Sequence, residues 1–480
     1  MSNPALQVYG GDEISAVVID PGSYNLNVGH SGTDCPQVST PSSYGGFTGE
    51  ENKKRIFSEQ AMKIARENYE IKPVVENGCI TDWDAAEEQW TWAIENEMRY
   101  ETTKGIPAFL TEPIWNNDQN RKKSLEVLLE SLEFEACYIA PTPTCVSFSM
   151  GRPTCLVVDI GHDVASVSPV IDGMTLTRNS TRNFLAGRFM NSIIEKQMEP
   201  IQVWPLFKVA FKKPQFVEKK FPFSVDDSLS TFATAREFYQ ECKETMLHIA
   251  PVNLAKFKED LINTSKRSLE APWGQNIVFD SETRYGFGEQ LFNPQSENLI
   301  NWPTSIDGVV ESWHNDYVPP KRTKPNNSNK DKEATAESTP APPDGAAVVA
   351  GSETINENGK RPLDEPQERE NSAAGLSDLV YSAIMNTDVD LRAALAYNVI
   401  VTGGTSSIPG LTDRLMDEMN RKLPALKFRM LTTGHLRERQ YQAWLGGSIL
   451  SSLGTFHQLW VGRREYEEVG AERLLKDRFR

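Results

Sequence analysis

Two segments of the chain share one pattern of apolar and polar positions. In Cys155–Asp159 an apolar run ends in a carboxylate, Gly161 follows, and alternation resumes at Val164. Ala16–Asp20 near the N-terminus is a near-copy, with Gly22 in its turn. This spacing is typical of a strand, a tight turn and a second strand. The repeat predicts a duplicated fold whose two hairpins close on a phosphate from two sides.

A third glycine-containing turn lies late in the chain. Asn398–Thr402 has the composition of a strand, Gly403–Gly410 is rich in glycine, and apolar positions at helical spacing begin at Leu411. A strand, a double-glycine turn and a helix N-terminus let backbone approach a phosphate or a purine. Alone this turn is weak evidence, but beside two Asp-x-Gly hairpins it becomes more specific.

Helical periodicity predicts several further elements. Asp84 is the predicted N-cap of one helix, and Asn120–Leu132 forms an amphipathic helix whose leucines face the core. A helix over Thr234–Ile249 carries the polar pair Lys243 and Glu244 beside its apolar stripe. The inward positions predicted for that helix are Phe238, Cys242, Thr245, Met246 and Ile249.

Composition narrows the class of protein. The 480 residues are 39% hydrophobic, which suffices for a sizeable core, and the net charge of −16 argues against a general nucleic-acid surface. The six cysteines show no CxxC pairs or zinc spacing, so we interpret them as buried thiols in a reducing compartment. No secretory signal or membrane-spanning run is visible, and we expect a soluble intracellular protein.

Three segments depart from ordinary core composition. Residues 42–60 turn to Gly, Ser, Lys and Glu, which predicts a short mobile excursion. The run Phe207–Phe223 alternates Lys with Phe; such pairing can bind single-stranded nucleic acid, but the acidic chain and frequent prolines favour an ordinary surface segment. Residues 319–374 predict a disordered loop. Its basic clusters at 321–324 and 360–361 fit either weak nuclear-import signals or solvated charge runs.

Motifs along nearly the whole chain resemble those of actin and its relatives, and most closely those of the nuclear actin-related proteins of fungi. The matching segments are Val18–Ser23, Thr81–Asp84, Leu110–Pro113, Asn120–Lys122, Val158–Gly161, Leu185–Arg188, Gln240–Glu244, Thr402–Thr405, Tyr441–Leu450, Thr455–Trp460 and Glu465–Glu467. The resemblance implies an α/β, actin-like ATPase fold with two related lobes, or four subdomains, around a central nucleotide cleft.

The resemblance also implies domain limits. Subdomain 1 takes 1–41, 72–149 and 442–480; subdomain 2, with a shortened loop, 42–71; subdomain 3, 150–185 and 275–441, interrupted by a 296–374 insertion; and subdomain 4, 186–274.

In this family the cleft holds ATP with Mg²⁺ or Ca²⁺, and the resemblance carries the contacts to residues of this chain. The implied cofactor-binding residues are Asp20, Gly22, Ser23, Asp159, Gly161, His162, Gly187, Lys243, Glu244, Gly403 and Gly404. Asp20 and Asp159 would face the metal through water, because hard cations prefer oxygen ligands.

The chain departs from actin where actin hydrolyses ATP. Asn27 replaces a lysine that touches the terminal phosphates, Thr142 a glutamine that orients water, and Ser166 a histidine that assists it. Tyr24 and Asp163 stand where actin has glycine, so a tighter pocket is expected. We therefore expect structural ATP, slow or absent hydrolysis and no catalytic residues. The alternatives are a slow but active ATPase, a sugar kinase or chaperone motor of the same fold, and a divergent cytoskeletal actin.

The resemblance further implies partners and a compartment. It predicts a nuclear scaffold subunit of ATP-dependent chromatin remodelling complexes and of a histone H4 acetyltransferase complex, paired with nuclear actin on a helicase-SANT-associated helix. Histone contact, roles in transcription regulation and DNA repair, and the absence of a homopolymer are also expected. A partner groove lined by Phe148, Leu450, Leu453 and Phe456 would take an apolar helix face, although plain core packing explains each residue almost as well.

Overall fold

The computed structural model describes residues 15–49, 54–213, 215–261, 264–300, 302–303 and 374–479. All of these residues belong to one compact unit. The predicted disordered loop and its basic clusters lie almost wholly outside the described residues, as do residues 50–53 of the predicted excursion.

Strands occur along the whole described chain. They are β1 Val17–Pro21, β2 Asn25–His30, β3 Val38–Pro41, β4 Ser43–Phe47, β5 Tyr69–Pro73, β6 Val75–Glu76, β7 Cys79–Ile80, β8 Pro107–Glu112, β9 Ala136–Pro141, β10 Cys155–Ile160, β11 Ala165–Ile171, β12 Met174–Thr175, β13 Thr181–Asn183, β14 Val209–Phe211, β15 Val217–Glu218, β16 Arg267–Glu270, β17 Asn276–Phe279, β18 Val399–Thr402, β19 Met430–Leu431 and β20 Val461–Gly462.

Helices separate these strands. They are α1 Glu59–Met62, α2 Trp83–Trp92, α3 Asp118–Glu126, α4 Thr142–Ser149, α5 Gly187–Met198, α6 Asp227–Thr234, α7 Gln240–Met246, α8 Leu254–Leu261, α9 Ser281–Glu289, α10 Ser296–Leu299, α11 Leu376–Met385, α12 Val389–Tyr397, α13 Leu411–Lys422, α14 Gln442–Ser452, α15 Arg463–Val469 and α16 Ala471–Asp477. None of the helices in the described residues is both long and apolar enough to cross a bilayer.

Two mixed sheets of matching topology form the centre of the molecule. One has the order β20-β9-β8-β1-β2-β3, and the other β12-β11-β10-β18-β19 with β13 paired to β11. In each sheet a hairpin, β1–β2 or β10–β11, is antiparallel, and its first strand is parallel to a later strand, β8 or β18. The predicted duplication is confirmed, and each sheet is the core of one lobe.

The first strand of each hairpin is buried on both faces. Val17 and Ile19 pack into the core of the first lobe, while Val18 faces a cluster shared by both lobes. Leu156 and Val157 divide in the same way between the second lobe and the shared cluster. Strands buried on two sides are continuously apolar, which explains the unbroken hydrophobic runs in the sequence.

Helix α14 closes the shared cluster against the first strand. The indole Nε1 of Trp444 donates to the carbonyl of Val18 at 3.1 Å, and the Trp444 side chain is fully buried. An added Cβ at Gly446 would lie 1.8 Å from the carbonyl oxygen of Cys145 on α4. Glycine is therefore needed for α4 and α14 to pack this closely.

Local details correct three expectations. The N-cap of α2 is Asp82, whose carboxylate accepts from the Ala85 amide, because the helix begins at Trp83, before Asp84. The helix predicted over 234–249 instead runs from Asp227 through a π turn to Met246, which leaves Thr245 exposed. The predicted mobile excursion contains strand β4, which pairs with β5.

A buried arginine joins three elements of the second lobe. Arg414 on α13 is fully buried and donates two hydrogen bonds to Glu289, at 2.7 and 2.8 Å, and one to Glu418 at 2.5 Å. It also donates to the carbonyl of Val252 at 2.8 Å. The guanidinium thus has full compensation for its burial, and its loss would leave Glu289 as an unpaired buried charge.

We predict that Arg414→Ala lowers the free energy of unfolding by about 3–5 kcal/mol, the cost typical of breaking a buried ion pair. The matched control is Arg421→Ala on the same helix. Arg421 is 42% exposed and pairs with Asp417, so its removal should cost less than about 1 kcal/mol. Urea unfolding measures both, and equal losses in the two variants would contradict the prediction.

Candidate nucleotide-binding site

Asp20, the penultimate residue of strand β1, is buried and hydrogen-bonded. Thr111 Oγ1 donates to Asp20 Oδ1 at 2.5 Å, and Asn27 Nδ2 donates to Asp20 Oδ2 at 3.3 Å. Asn27 in turn accepts from Ser39 Oγ at 2.9 Å. Burial raises the pKa of Asp20, and the two donors partly oppose that rise.

Asp159 occupies the equivalent position on β10, but it differs from Asp20 in its hydrogen bonding. No hydrogen bond to its carboxylate occurs among the described residues. Burial first, and the nearby charge of Asp20 second, raise the pKa of Asp159 to about 7. Within the part of the chain that the structure describes, Asp20 has hydrogen-bond donors and Asp159 has none, so a proton or a cation shared by the pair is needed most at Asp159.

Both hairpin turns close with the same backbone hydrogen bond. The amide of Gly22 donates to the carbonyl of Asn25 at 3.1 Å, and the amide of Gly161 donates to that of Val164 at 3.0 Å. An added Cβ at Gly22 would lie 3.0 Å from the Asn25 oxygen. Both turns are therefore tight.

The carbonyl of Gly161 joins three predicted loops. It accepts from the amide of Gly187, at the start of α5, at 3.1 Å, and from Thr405 Oγ1 in the late glycine-rich turn at 2.8 Å. Gly403 in that turn has φ +85°, and an added Cβ there would lie 2.5 Å from Asp159 Oδ1. Only glycine suits that backbone and that approach. Gly404 follows, with Gln440 Cγ 3.6 Å from its ideal Cβ position.

Lys243 and Glu244, neighbours on helix α7, differ in burial. Lys243 is 8% exposed and its Nζ lies 3.5 Å from the Gly187 carbonyl, whereas Glu244 is exposed and accepts from Gln240 at 2.5 Å. Burial lowers the pKa of Lys243 to about 8, with the Glu244 charge opposing. A buried ammonium group with one long hydrogen bond retains the capacity to donate to a ligand.

Tyr24 fills space between the hairpins. Its ring lies 5.0 Å from the ring of His162, and the Arg236 guanidinium sits 4.0 Å above it. Burial, followed by the charges of Lys243, Arg188 and Arg236, lowers the pKa of His162 to about 3, so its imidazole is neutral at physiological pH.

Arg236, in the π turn Ala235–Tyr239 between α6 and α7, contacts residues of the first lobe. It donates to the carbonyl of Tyr24 at 3.1 Å and to Asn25 Oδ1 at 2.6 Å, and it pairs with Glu59 at 3.2 Å. Its side chain is only 8% exposed. A planar guanidinium with several donors suits such a bridge.

A second link crosses the cleft at the turn Asn77–Gly78. The carboxylate of Asp163 accepts from the Asn77 amide at 2.8 Å, and Arg188 donates to Asn77 Oδ1 at 3.3 Å. Ser23 Oγ accepts from the Gly78 amide at 2.9 Å. Tyr24 and Asp163, the two residues predicted to tighten the pocket, therefore both take part in contacts between the lobes.

These groups fit a nucleotide with a hydrated divalent cation. The carboxylate of Asp159 has no donor among the residues described, the Lys243 Nζ is buried and makes one long hydrogen bond, and glycines line the loops. Within the described residues, no cluster of three or more His, Cys, Asp and Glu side chains is placed to hold a metal ion. Two carboxylates alone would need water and ligand oxygens to complete the shell of Mg²⁺ or Ca²⁺.

Two of the three substituted positions lie directly opposite the aspartates. Asn27 is opposite Asp20 in the β1–β2 register, and Ser166 is opposite Asp159 in the β10–β11 register. Thr142 begins α4, and its hydroxyl donates to the carbonyl of Glu112 at 3.0 Å. Asn27 and Thr142 are thus engaged in internal hydrogen bonds.

The predicted groove residues divide into two kinds. Leu450 and Phe456 are each 5% exposed, and the Phe456 ring contacts that of Tyr138 at 4.9 Å. The alternative of core packing holds for these two. Leu453 is 42% exposed and Phe148 is half-buried, so the prediction of a partner groove depends on them.

Sequence reasoning missed Thr111, Arg236, Asn77 and Arg188 as site residues. A signal existed for Thr111, because β8 is parallel to β1 and both strands end at this edge. None existed for Arg236, which reaches Asn25 from 211 positions away.

Two lobes of one topology, each presenting an aspartate on a glycine-turn hairpin to a common cleft, define an actin-like fold. The actin family profile matches residues 11–479, and the chain belongs to the actin family. Actin-related protein 4 of Saccharomyces cerevisiae is 60% identical over 495 residues, covering all of both chains. The Eremothecium gossypii protein of that name is 60% identical over 482 residues, also covering all of both chains. The Schizosaccharomyces pombe protein is 34% identical, covering 97% of each.

We predict that Asp159→Asn stabilises the protein without divalent cations, increasingly from pH 4 to 7. The carboxyl pKa rises on folding from 3.8 to about 7, so in the wild type its charge costs nothing below pH 4 and has its full cost above pH 7. Thermal unfolding in EDTA measures the gain, and added Mg²⁺ should reduce it at pH 8. A gain that shrinks as pH rises would contradict the assignment.

We predict that Asp163→Ala speeds amide exchange at Asn77 about two- to tenfold, the effect of losing one net hydrogen bond. Ser23→Ala should act on Gly78 instead, and Asp163→Asn, which keeps an acceptor oxygen, should change little. Residue-resolved hydrogen exchange by mass spectrometry, in one nucleotide state, distinguishes the two amides. Equal effects of Asp163→Ala and Asp163→Asn would argue against a direct bond.

Proposed function

We propose that this actin-related protein is a nuclear scaffold subunit that holds ATP as a structural cofactor. The observation that carries the proposal is the hydrogen bonding of Asn27 and Thr142, two positions at which the chain departs from actin. Asn27 donates to Asp20 and Thr142 to Glu112, so neither side chain is placed as a charge or a water-orienting amide. The chain keeps the carboxylates of Asp20 and Asp159, but it lacks the lysine, glutamine and histidine that support hydrolysis in actin.

The chain's own residues would hold the nucleotide and the cation. The turns that carry Gly22, Ser23, Gly161 and His162 would face the phosphates, while the amides of Gly22 and Gly161 close these turns through their hydrogen bonds to Asn25 and Val164. A bound nucleotide would supply negative charge near the buried cationic groups of Arg236 and Lys243. Asp20 and Asp159 would face Mg²⁺ or Ca²⁺ through water.

Lys243 and Glu244 on α7 and Gly187 at the start of α5 would contact the ribose and the adenine. Gly403 and Gly404 in the late turn would lie under the base and the phosphates. Lys243 has the clearest support, since its buried Nζ makes one long hydrogen bond.

Resemblance to nuclear members of the family supports the assembly role. We propose that the protein pairs with nuclear actin on a helicase-SANT-associated helix, within chromatin remodelling complexes and a histone H4 acetyltransferase complex. Leu453 and Phe148 offer apolar contacts for a partner helix. The charge of −16 suits contact with basic histones. A nuclear location and support of transcription regulation and DNA repair belong to the same proposal.

A slow ATPase is the second candidate, and the retained Asp20 and Asp159 favour it. A filament-forming actin is disfavoured, because the loop between β4 and α1 is shorter than actin's and an insertion interrupts subdomain 3. Open-ended growth needs two complementary faces. We propose a subunit that does not polymerise alone.

We predict that purified protein retains ATP and that single-turnover phosphate release is at least about a hundredfold slower than in actin, since each lost positioning group typically contributes that much. Bound nucleotide is identified by chromatography after denaturation, and release is followed with radiolabelled ATP.

The triple variant Asn27→Lys, Thr142→Gln, Ser166→His tests the cause. It should release phosphate faster than the wild type, while Ser149→Ala, on the same helix as Thr142, should not. Actin-like release by the wild type would reject the structural-cofactor proposal. Retention of ATP with failure to bind actin plus the helix would reject the scaffold role alone.

A further inference from the structure

One surface element combines lysine and phenylalanine at unusual density. Residues 207–223, called here the Lys/Phe hairpin, contain five lysines and five phenylalanines but only one acidic residue, Glu218. Strands β14 and β15 form its two-stranded sheet. The local net charge is +5 − 1 = +4 in a chain of −16. At physiological salt the Debye length is about 8 Å, so a ligand here would sense the lysines more than the distant acidic groups.

Contacts of the segment that connects its two strands fix the hairpin against strands β16 and β17 and against Trp204. Lys212 Cβ lies 3.2 Å from the ideal Cβ position of Gly274 in the β16–β17 turn, and Lys213 pairs with Glu270 at 3.2 Å. The rings of Trp204 and Phe216 lie 5.3 Å apart. The sequence favoured an ordinary surface segment, whereas the structure gives a hairpin with a defined position.

Apolar side chains near the end of the strands face solvent. Phe211 is 67% exposed and Val217, its partner in the register, is 46% exposed. Lysines on edge strands are common because they prevent strand addition. That explanation covers the lysines but gives no reason for an exposed phenylalanine beside them.

Lysines and rings are interleaved in space as well as in sequence. Lys208 Nζ lies 5.8 Å from the Phe207 ring centroid, and Lys219 Nζ lies 5.2 Å from that of Phe221. The Lys219 amide donates to the Lys208 carbonyl at 2.8 Å, which joins the two strands. The Phe207 and Phe221 rings are 6.1 Å apart. Ring and charge therefore alternate across one small surface.

We propose that the Lys/Phe hairpin binds single-stranded nucleic acid, a function beyond the nucleotide cleft and the scaffold role. Single strands alternate flat bases with phosphates, and sites for them combine basic side chains with aromatic platforms. Duplex DNA would use the lysines but would leave Phe211 unused, since its bases are already stacked. An acidic peptide has no regular succession of flat rings to match these phenylalanines.

Fluorescence anisotropy with the full chain tests the proposal, using a labelled ~16-nucleotide oligothymidylate, a length within single-strand site sizes. Duplex DNA and polyglutamate serve as competitors. The variants are Lys219→Glu/Lys220→Glu, Phe211→Ala and Phe211→Trp. The matched control, Lys256→Glu/Lys258→Glu, makes the same charge change at exposed positions of α8.

The wild type should bind the single strand, less tightly as salt rises. Lys219→Glu/Lys220→Glu should weaken binding at least about tenfold and Phe211→Ala about fivefold or more, while Phe211→Trp and the α8 control stay near the wild type. Unfolding temperatures check that every variant folds.

Three results would overturn the proposal. They are no binding at low salt, equal loss in the α8 control, and unchanged affinity in Phe211→Ala. Stronger competition by polyglutamate than by unlabelled oligothymidylate would instead identify an acidic peptide as the ligand class and reject nucleic acid.

Discussion

Two carboxylates that share one cleft set the conditions for the rest of this molecule. Asp20 and Asp159 end the first strands of two equivalent hairpins, and each strand is buried on both faces by the cores around it. Burial of a carboxylate disfavours its charged form, and a second carboxylate nearby adds repulsion; the raised pKa of Asp159 reflects burial first and the charge of Asp20 second. A fold that retains both carboxylates must neutralise them by a proton, by hydrogen-bond donors or by a cation.

The two lobes meet this requirement unequally. The first lobe surrounds Asp20 with Thr111 and Asn27, and Ser39 holds Asn27 in place. The second lobe brings a glycine turn against Asp159 and provides no donor among the described residues. The first aspartate is thus satisfied by protein and the second is left to a ligand. An asparagine committed to this support is unavailable for contact with a phosphate.

The duplicated hairpins and the late glycine turn could be predicted from sequence, because each depends on local spacing within residues 16–30, 155–170 and 398–423. The family followed from the resemblance of motifs along nearly the whole chain. The predicted N-cap of α2 was wrong by two residues. Asp82 and Asp84 are equally plausible caps on composition, and only the start of the helix decides between them. The contacts of Arg236 and Asp163 could not be predicted, because they depend on how the lobes approach each other. The burial of Leu450 and Phe456 could likewise not be predicted from sequence, because the wall of an apolar groove and a protein core have the same composition.

Trp444 has a consequence for how the chain is made. Its indole bonds the backbone of Val18 across 426 positions of sequence, and its ring fills the cluster that both lobes share. Contacts of such separation form late, because the entropy of closing the intervening chain must be overcome first. During synthesis the N-terminal strand leaves the ribosome long before its covering helix exists. An apolar strand therefore stays uncovered through most of translation. Chaperones that bind exposed β-strands would act on the chain in that interval.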